Sequence, residues 1–311
     1  MCGIVGLYIK RPELEEKLGG MLSDMLMQMT ERGPDSAGFA MYRNPVNSGQ
    51  IKITLQSNDA DADWDAMQTR VQAEIDRKAT LSPVANHGVL IAQVGNQVGN
   101  HLDNETETEA LLDWVDNNLL GIKVTSVGYA IEIYKEKGLP NQVIRTFGLD
   151  SMAGTHALGH TRMATESAVT TEHSHPFSTG RDLCLVHNGS LSNHNNLREM
   201  LTGEGIRFTT DNDSEVAAGY LTWRLGQGAT LDEALEAALE DLDGFYTFAI
   251  GTKDGFAVLR DPIACKPAIL AETDDWVAMA SEYRAIAQLH GSENATIWEP
   301  EPATIYSWER S

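Results

Sequence analysis

The chain opens on an apolar run, Ile4-Val5-Gly6-Leu7-Tyr8, short enough for a buried strand that begins at the terminus itself. Leu14, Leu18, Met21, Leu22, Met25, Leu26 and Met29 then recur at spacings of three and four, which predicts a helix with a methionine-rich core face. Glu31-Arg32-Gly33-Pro34-Asp35 breaks that period, and 36–42 reads as a returning strand. Further on, a strand over 182–187 ends at the turn dipeptide Asn188-Gly189. Helices are predicted at 193–201, 213–225 and 231–242, the last with Thr230 and Glu233 in capping-box spacing. The segments 245–251 and 256–260 flank Lys253-Asp254-Gly255 as the arms of a hairpin, and 276–280 and 303–308 read as further strands. Many strands and several helices without regular alternation predict an α+β fold.

Between about Asn44 and Asp150 the pattern changes character. Asn58-Asp59-Ala60-Asp61-Ala62-Asp63-Trp64-Asp65 is polar and acidic, and Val71 and Ile75 then suggest a helix. The run 88–94 reads as a buried strand, Leu111, Leu112, Trp114 and Val115 as part of a second helix, and 127–134 alternates as a strand. That is enough secondary structure for a folded insertion at about 44–150 within a single domain, rather than a linker.

Composition narrows the function classes. With 311 residues, 42% hydrophobic and 22% charged, the chain is long enough to bury a full core. No apolar run approaches the roughly 20 residues that span a bilayer, and Pro12, Glu13, Glu15 and Glu16 interrupt any signal peptide. A formal charge of −22 argues against nucleic acid and against anionic membrane surfaces. Three widely spaced cysteines, Cys2, Cys184 and Cys265, fit a reducing, cytoplasmic setting better than a disulfide framework or a zinc site.

No metal is expected. The alternating Asp59, Asp61, Asp63 and Asp65 lack the glycine and glutamate of a calcium loop, whose places hold Trp64 and Arg70. His156, His160, His173 and His175 cluster in sequence, but strand alternation and loop context argue against a zinc set, and the glycines of 95–100 lack the lysine or helix start of a phosphate loop.

A cysteine at position 2 carries the candidate chemistry. Removal of the initiator methionine is favoured by a small second residue, and would leave a thiol and a free α-amine on Cys2. Their ordinary pKa values, about 8.5 and about 7.7–8.0, lie close enough for proton exchange near neutral pH. One residue then supplies both nucleophile and base. An isolated Met-Cys is more often a small buried residue, but here it has company.

Cys2-Gly3-Ile4-Val5-Gly6, Arg32-Gly33-Pro34-Asp35-Ser36-Ala37-Gly38 and Gly159-His160-Thr161-Arg162-Met163-Ala164-Thr165 follow one another along the chain. His175-Pro176-Phe177, His187-Asn188-Gly189 and Asp211-Asn212-Asp213-Ser214-Glu215 continue the order, then Asp243-Gly244-Phe245, Arg260-Asp261-Pro262 and Ala280-Ser281-Glu282. This ordered set resembles the class II glutamine amidotransferases and covers nearly the whole chain outside the insertion. The resemblance implies the N-terminal-nucleophile hydrolase fold, a four-layer αββα sandwich. It also implies attack by Cys2 on the carboxamide of free glutamine, with the Asn188 side chain and Gly189 backbone N–H as oxyanion hole. Arg162 would take the substrate's α-carboxylate and Asp213 its α-ammonium, with Thr165 and His175 completing the pocket. Cys184 is expected in the core. Cys265 sits in a turn that departs from the family's glycine-containing form and is given no catalytic role.

No acceptor domain follows the amidotransferase segments, so the resemblance implies a separate subunit that uses the ammonia. It is greatest to glutamate-synthase-like complexes, N-methylglutamate synthase of methylamine metabolism among them. In such complexes a flavin-bearing subunit carries FMN and a third subunit resembles a glutamate synthase domain, while no cofactor is expected on this chain. Two other readings stand beside this one: a non-catalytic amidotransferase-like scaffold, and a stand-alone N-terminal-nucleophile amidohydrolase.

Overall fold

Every residue of Gly3–Ile9 is buried, on both faces of the strand. Such a segment must run through the middle of a sheet that has packed layers on either side. A computed structural model of the protein describes residues 2–59, 61–95, 101–163 and 169–310 and has that arrangement. In chain order the first strands are β1 (Gly3–Ile9), β2 (Ser36–Tyr42), β3 (Gln50–Ser57), β4 (Ala79–Val84), β5 (His87–Gln93), β6 (Ile122–Gly128), β7 (Ile131–Lys137) and β8 (His156–Arg162). They are followed by β9 (Phe177–Gly180), β10 (Leu183–Leu191), β11 (Gly244–Gly251), β12 (Gly255–Arg260), β13 (Ile269–Glu272), β14 (Trp276–Ala280), β15 (Thr296–Trp298) and β16 (Ile305–Glu309). The helices are α1 (Leu18–Met27), α2 (Trp64–Ile75), α3 (His101–Asn118), α4 (Pro140–Phe147), α5 (His194–Gly203), α6 (Asp213–Gly226), α7 (Leu231–Asp241) and α8 (Tyr283–Ile286).

Two antiparallel sheets form the centre, a seven-stranded one in the order β15-β13-β14-β1-β8-β2-β7 and a five-stranded one in the order β16-β12-β11-β10-β9. Strand alternation sorts their side chains into three cores. Ile4, Tyr8, Tyr42, Leu158, Val186, Phe256 and Met279 fill the space between the sheets. Val5, Leu7 and Phe39 face outward and meet Leu22, Met25 and Leu26 of α1 and Phe147 of α4. Leu185, Phe248 and Ile250 face the other way, onto Val216 and Tyr220 of α6 and Leu235 of α7. Helices, sheet, sheet, helices: this is the expected four-layer αββα sandwich. None of the described helices is long and apolar enough to cross a membrane.

The third sheet, β4-β5-β3-β6, stands apart with α2 and α3 on a core of its own that includes Ile53, Leu55, Trp64, Val71, Leu90 and Val115. The insertion expected at about 44–150 is therefore narrower. β7 pairs with β2 along its whole length and α4 buries Val143, Ile144 and Phe147 in the outer core, so 131–147 belong to the sandwich. The stretch 127–134, expected as one strand, is two. The carboxylate of Asp182 accepts the backbone N–H groups of Tyr129, Ala130 and Ile131 at 2.7, 2.8 and 3.0 Å, and bends the chain from β6 into β7. The first predicted helix is also shorter, because a 3-10 turn over Pro12–Lys17 precedes α1.

Candidate active site

β1 runs antiparallel to β8, so the start of one meets the end of the other: Gly3 lies opposite Thr161. β2 begins at the same edge, with Ser36 opposite Arg162. Cys2, Ser36 and Arg162 are thus gathered at one end of the large sheet. On the facing sheet the turn expected at Asn188-Gly189 is strand instead: β10 runs on to Leu191, with Asn188 opposite Thr247 and Gly189 opposite Tyr246, and β1 packs across the interlayer on β10 and β11. Cys184 and Val186 point into that interlayer, and by alternation so does Asn188.

Cys2 is half-buried and its main chain is held from a distance. Arg32 Nε donates to the Cys2 carbonyl at 2.9 Å, and Arg32 Nη1 pairs with Glu282 Oε1 at 2.8 Å. The next residue but one is pinned by Ser281, whose Oγ accepts the Ile4 N–H at 3.0 Å while its own N–H donates to the Ile4 carbonyl. Arg32, Ser281 and Glu282 lie in segments that the sequence reading singled out without giving them a role. Only the fold brings residues so far apart in the chain onto Cys2.

Asn188 is 3% exposed, and among the described residues its Nδ2 donor has no partner. Leaving a buried donor unmet costs about 1–3 kcal/mol. Gly189 beside it has φ +154°, and a Cβ there would lie 2.0 Å from the Phe245 carbonyl oxygen. Only glycine fits that backbone.

Asn212 caps α6 by accepting the Ser214 N–H at 2.9 Å, which leaves Asp213 at the first helical position. One Asp213 oxygen accepts the Leu191 N–H at 2.9 Å. The other lies 3.7 Å from His187 Nδ1 and 3.4 Å from Ser214 Oγ. Ser214 Oγ in turn joins His187 Nδ1 at 2.9 Å to His175 Nε2 at 2.8 Å. His175 stacks on His160 with ring centroids 3.9 Å apart, and His160 Nε2 donates to the His187 carbonyl at 3.0 Å. Burial pushes the pKa of all three imidazoles down, that of His160 to about 3, with the Asp213 charge partly opposing the shift at His187. All three are neutral at neutral pH.

The expected residues therefore separate into three groups. Cys2, Asn188, Gly189, Arg162 and Asp213 lie at one end of the sandwich, with Arg162 only 5% exposed. His175 reaches Asp213 through Ser214 and His187. Thr165 lies outside the described residues. Of the other histidines in the early cluster, His156 sits at the far end of β8, stacked on Tyr42 at 4.0 Å, and His173 pairs with Asp211 at the surface. Cys184 is in the interlayer core, its thiol pushed up to about 12 by burial, and Cys265 is exposed.

The sequence pattern of the glutamine amidotransferase domain matches residues 160–288. The chain is 52% identical over 314 residues to the glutamine amidotransferase-like protein GlxB of Rhizobium meliloti, covering 99% of this chain and 98% of that one. The amidophosphoribosyltransferase of Archaeoglobus fulgidus is 34% identical over 157 residues, 50% of this chain and 34% of that one. Among solved structures, the glutamine phosphoribosylpyrophosphate amidotransferase from B. subtilis, complexed with ADP and GMP, superposes with a TM-score of 0.59. That superposition covers 99% of this chain and 49% of the other at 20% identity, a likeness of fold alone.

Proposed function

This chain belongs to the class II glutamine amidotransferase family, and on that footing we propose that it hydrolyses glutamine through a thioester on Cys2 and passes the ammonia to a separate synthase subunit. With Met1 removed, the α-amine of Cys2 takes the thiol proton and Sγ attacks the carboxamide carbon of glutamine. Negative charge moves onto the carboxamide oxygen, where Asn188 Nδ2 and the Gly189 N–H receive it. The tetrahedral adduct collapses as the Cys2 ammonium returns its proton to the leaving nitrogen, and ammonia departs. Water, deprotonated by the same amine, then splits the thioester and releases glutamate.

The unreacting end of glutamine is taken by two charges. The Arg162 guanidinium offers paired, charge-assisted hydrogen bonds to the α-carboxylate. Asp213 offers its carboxylate to the α-ammonium, and Thr165 is retained as a proposed substrate-binding residue from the sequence resemblance alone. His175 serves the pocket indirectly, through Ser214 and His187. Together the two charges select the free amino acid over glutamine within a peptide.

The observation that carries this reading is the orphaned Asn188 Nδ2, buried at the end of β10 on the interlayer side where β1 begins. A buried donor without a protein partner at this place supports a role in which a ligand oxygen completes it. The hydrolytic step needs only the thiol and amine of Cys2, so no cofactor is required of this chain. The acceptor reaction belongs to a glutamate-synthase-like complex, N-methylglutamate synthase being our specific proposal, with FMN on the partner and a third, glutamate-synthase-like subunit. The test is purification of the chain from its native host, identification of its copurifying subunits, and assay of synthesis with glutamine and with ammonia. Cys2→Ala should abolish glutamine-dependent turnover and spare the ammonia-dependent reaction. Glutamine-dependent synthesis by Cys2→Ala would overturn the proposal.

A further inference from the structure

Lys135 on β7 is only 6% exposed, and its ammonium is directed at backbone. Nζ donates to the carbonyls of Ser174 at 2.8 Å, Glu172 at 3.2 Å and Pro176 at 3.4 Å, and lies 4.6 Å from the ring centroid of Phe177. An ammonium has three donors, and here all three serve one short segment. That segment lies directly on the sheet. Gly38 is opposite Lys135 in register, and a Cβ on Gly38 would come within 2.2 Å of the His175 carbonyl oxygen and 2.6 Å of the Lys135 Cβ.

The neighbouring Glu136 ties the same segment to the insertion. One of its oxygens accepts from Thr171 Oγ1 and the other from Asn86 Nδ2, at 2.5 and 2.6 Å, and Asn86 belongs to the turn between β4 and β5. Asn58, which follows β3, donates to Glu172 Oε1 at 3.1 Å. The 171–176 segment is therefore held from below by β7 and from the side by the insertion. At its far end His175 Nε2 meets Ser214 Oγ at 2.8 Å, and Ser214 Oγ reaches Asp213 Oδ1 at 3.4 Å and His187 Nδ1 at 2.9 Å.

We propose that Lys135 is a positioning residue for glutamine binding: it gathers the carbonyls of Glu172, Ser174 and Pro176 so that His175, Ser214 and His187 keep Asp213 aimed at the substrate's ammonium, and Glu136 adds a restraint from the insertion. This rests on the reading of Asp213 as the ammonium partner. Without the ammonium, the buried carbonyls of Ser174 and Pro176 and the part-buried one of Glu172 lose this donor and the segment shifts to find others. The backbone at Cys2 has separate anchors, Arg32 on the Cys2 carbonyl and Ser281 on Ile4, and none of them is Lys135 or the 171–176 segment.

Alkylation of Cys2 by iodoacetamide separates the two effects. It needs the thiol but not the amino-acid clamp, and bound glutamine protects against it. The rate is followed by the mass of the N-terminal peptide as glutamine is increased, which excludes signal from Cys265. Lys135→Met should be alkylated at the wild-type rate without glutamine, yet need about tenfold more glutamine for half-protection, with part of the shift restored in Lys135→Arg. A merely structural role would lower the melting temperature or change the alkylation rate without moving the protection midpoint. Half-protection of Lys135→Met within about twofold of wild type overturns the proposal alone. Failure of glutamine to protect the wild type overturns the reading of the site, and the proposal with it. If Lys135→Met reduces the folded fraction, the double variant Thr171→Val/Asn86→Ala, which keeps Lys135, tests the Glu136 arm. About a threefold rise in its midpoint is expected, and an unshifted midpoint overturns the proposal.

Discussion

Arg32 Nε lies 2.9 Å from the carbonyl oxygen of Cys2, and the same guanidinium is anchored at 2.8 Å to Glu282. An arginine on the loop before β2 and a glutamate after β14 thereby fix the main chain of the residue that bears the nucleophile. The terminus of a chain is ordinarily its most mobile part. Here it is clamped at the point where a thiol and an amine must keep a fixed relation to each other.

Arg32→Lys should therefore lower kcat for glutamine hydrolysis by about 10- to 100-fold with little change in KM. Arg32 acts on the backbone of Cys2 and not on substrate, and small displacements of a reacting group are costly. Glu282→Gln, which loosens the guanidinium but leaves it present, should fall between. Steady-state kinetics of the two variants check this, and a rise in KM at unchanged kcat would show that Arg32 grips substrate instead.

Asn188→Ala should cost about 10² to 10³ in kcat, as the loss of an oxyanion donor does. It should cost little stability. The Nδ2 it removes is buried without a partner, so its deletion relieves a penalty of about 1–3 kcal/mol that offsets part of the lost packing. A variant that is nearly inactive yet melts at or close to the wild-type temperature is the expected outcome. A severe loss of stability would mean that Asn188 is a structural residue.

The reacting end of the site was legible in the sequence because its residues sit in short ordered motifs. Cys2 and Asp213 fall at the start of elements that the apolar pattern predicts, whereas Asn188-Gly189, expected as a turn, lies within β10, which pairs with β11 as far as Leu191. The insertion and its edges were less legible, for a physical reason. Lys52 of β3 and Glu132 of β7 are buried as an ion pair at 2.9 Å, and Tyr134 donates to the same carboxylate. Lys135 is buried on carbonyls. Strands that carry such residues break the rule that polar means exposed, so β3 gave no clear signal and β7 merged with β6. The turn between those two depends on Asp182, far along the chain, which no local pattern contains. β4 was missed because half of it is exposed and Pro83 interrupts its donors.

The clamp on the unreacting end of glutamine should behave differently from the oxyanion hole. Arg162→Lys and Asp213→Asn should each raise KM by about 10- to 100-fold while changing kcat far less, since both interactions persist from ground state to transition state. Asp213→Asn keeps an oxygen able to accept the Leu191 N–H, so its effect isolates the charge from the helix start. Comparison of KM for glutamine with the Ki of glutamate checks the assignment: the two should rise together. A fall in kcat alone would place both residues in the chemistry.

The buried histidines should make the protein acid-sensitive in a defined window. Burial lowers the pKa of His87 from 6.5 to about 3, with the Lys135 charge adding to the shift. Burial likewise lowers His156 to about 4 and His160 to about 3. The unfolded chain binds these protons from pH 6.5 downward and the folded chain does not. Their contribution is thus complete above pH 6.5 and is lost progressively as pH falls towards the folded values, by about 1.4 kcal/mol per pH unit for each histidine. His87 allows the test away from Cys2 and Asp213, because it packs edge-on against Phe147 at 4.9 Å in the outer core. His87→Phe should be near the wild type in urea midpoint at neutral pH, where it loses the contact with Asn86 Oδ1 at 3.0 Å. Between pH 6 and pH 4.5 its midpoint should fall less steeply than that of the wild type. Carboxylates that titrate in the same range are common to both proteins and cancel in the difference. Parallel declines would show that His87 takes up its proton in the folded state as readily as in the unfolded one.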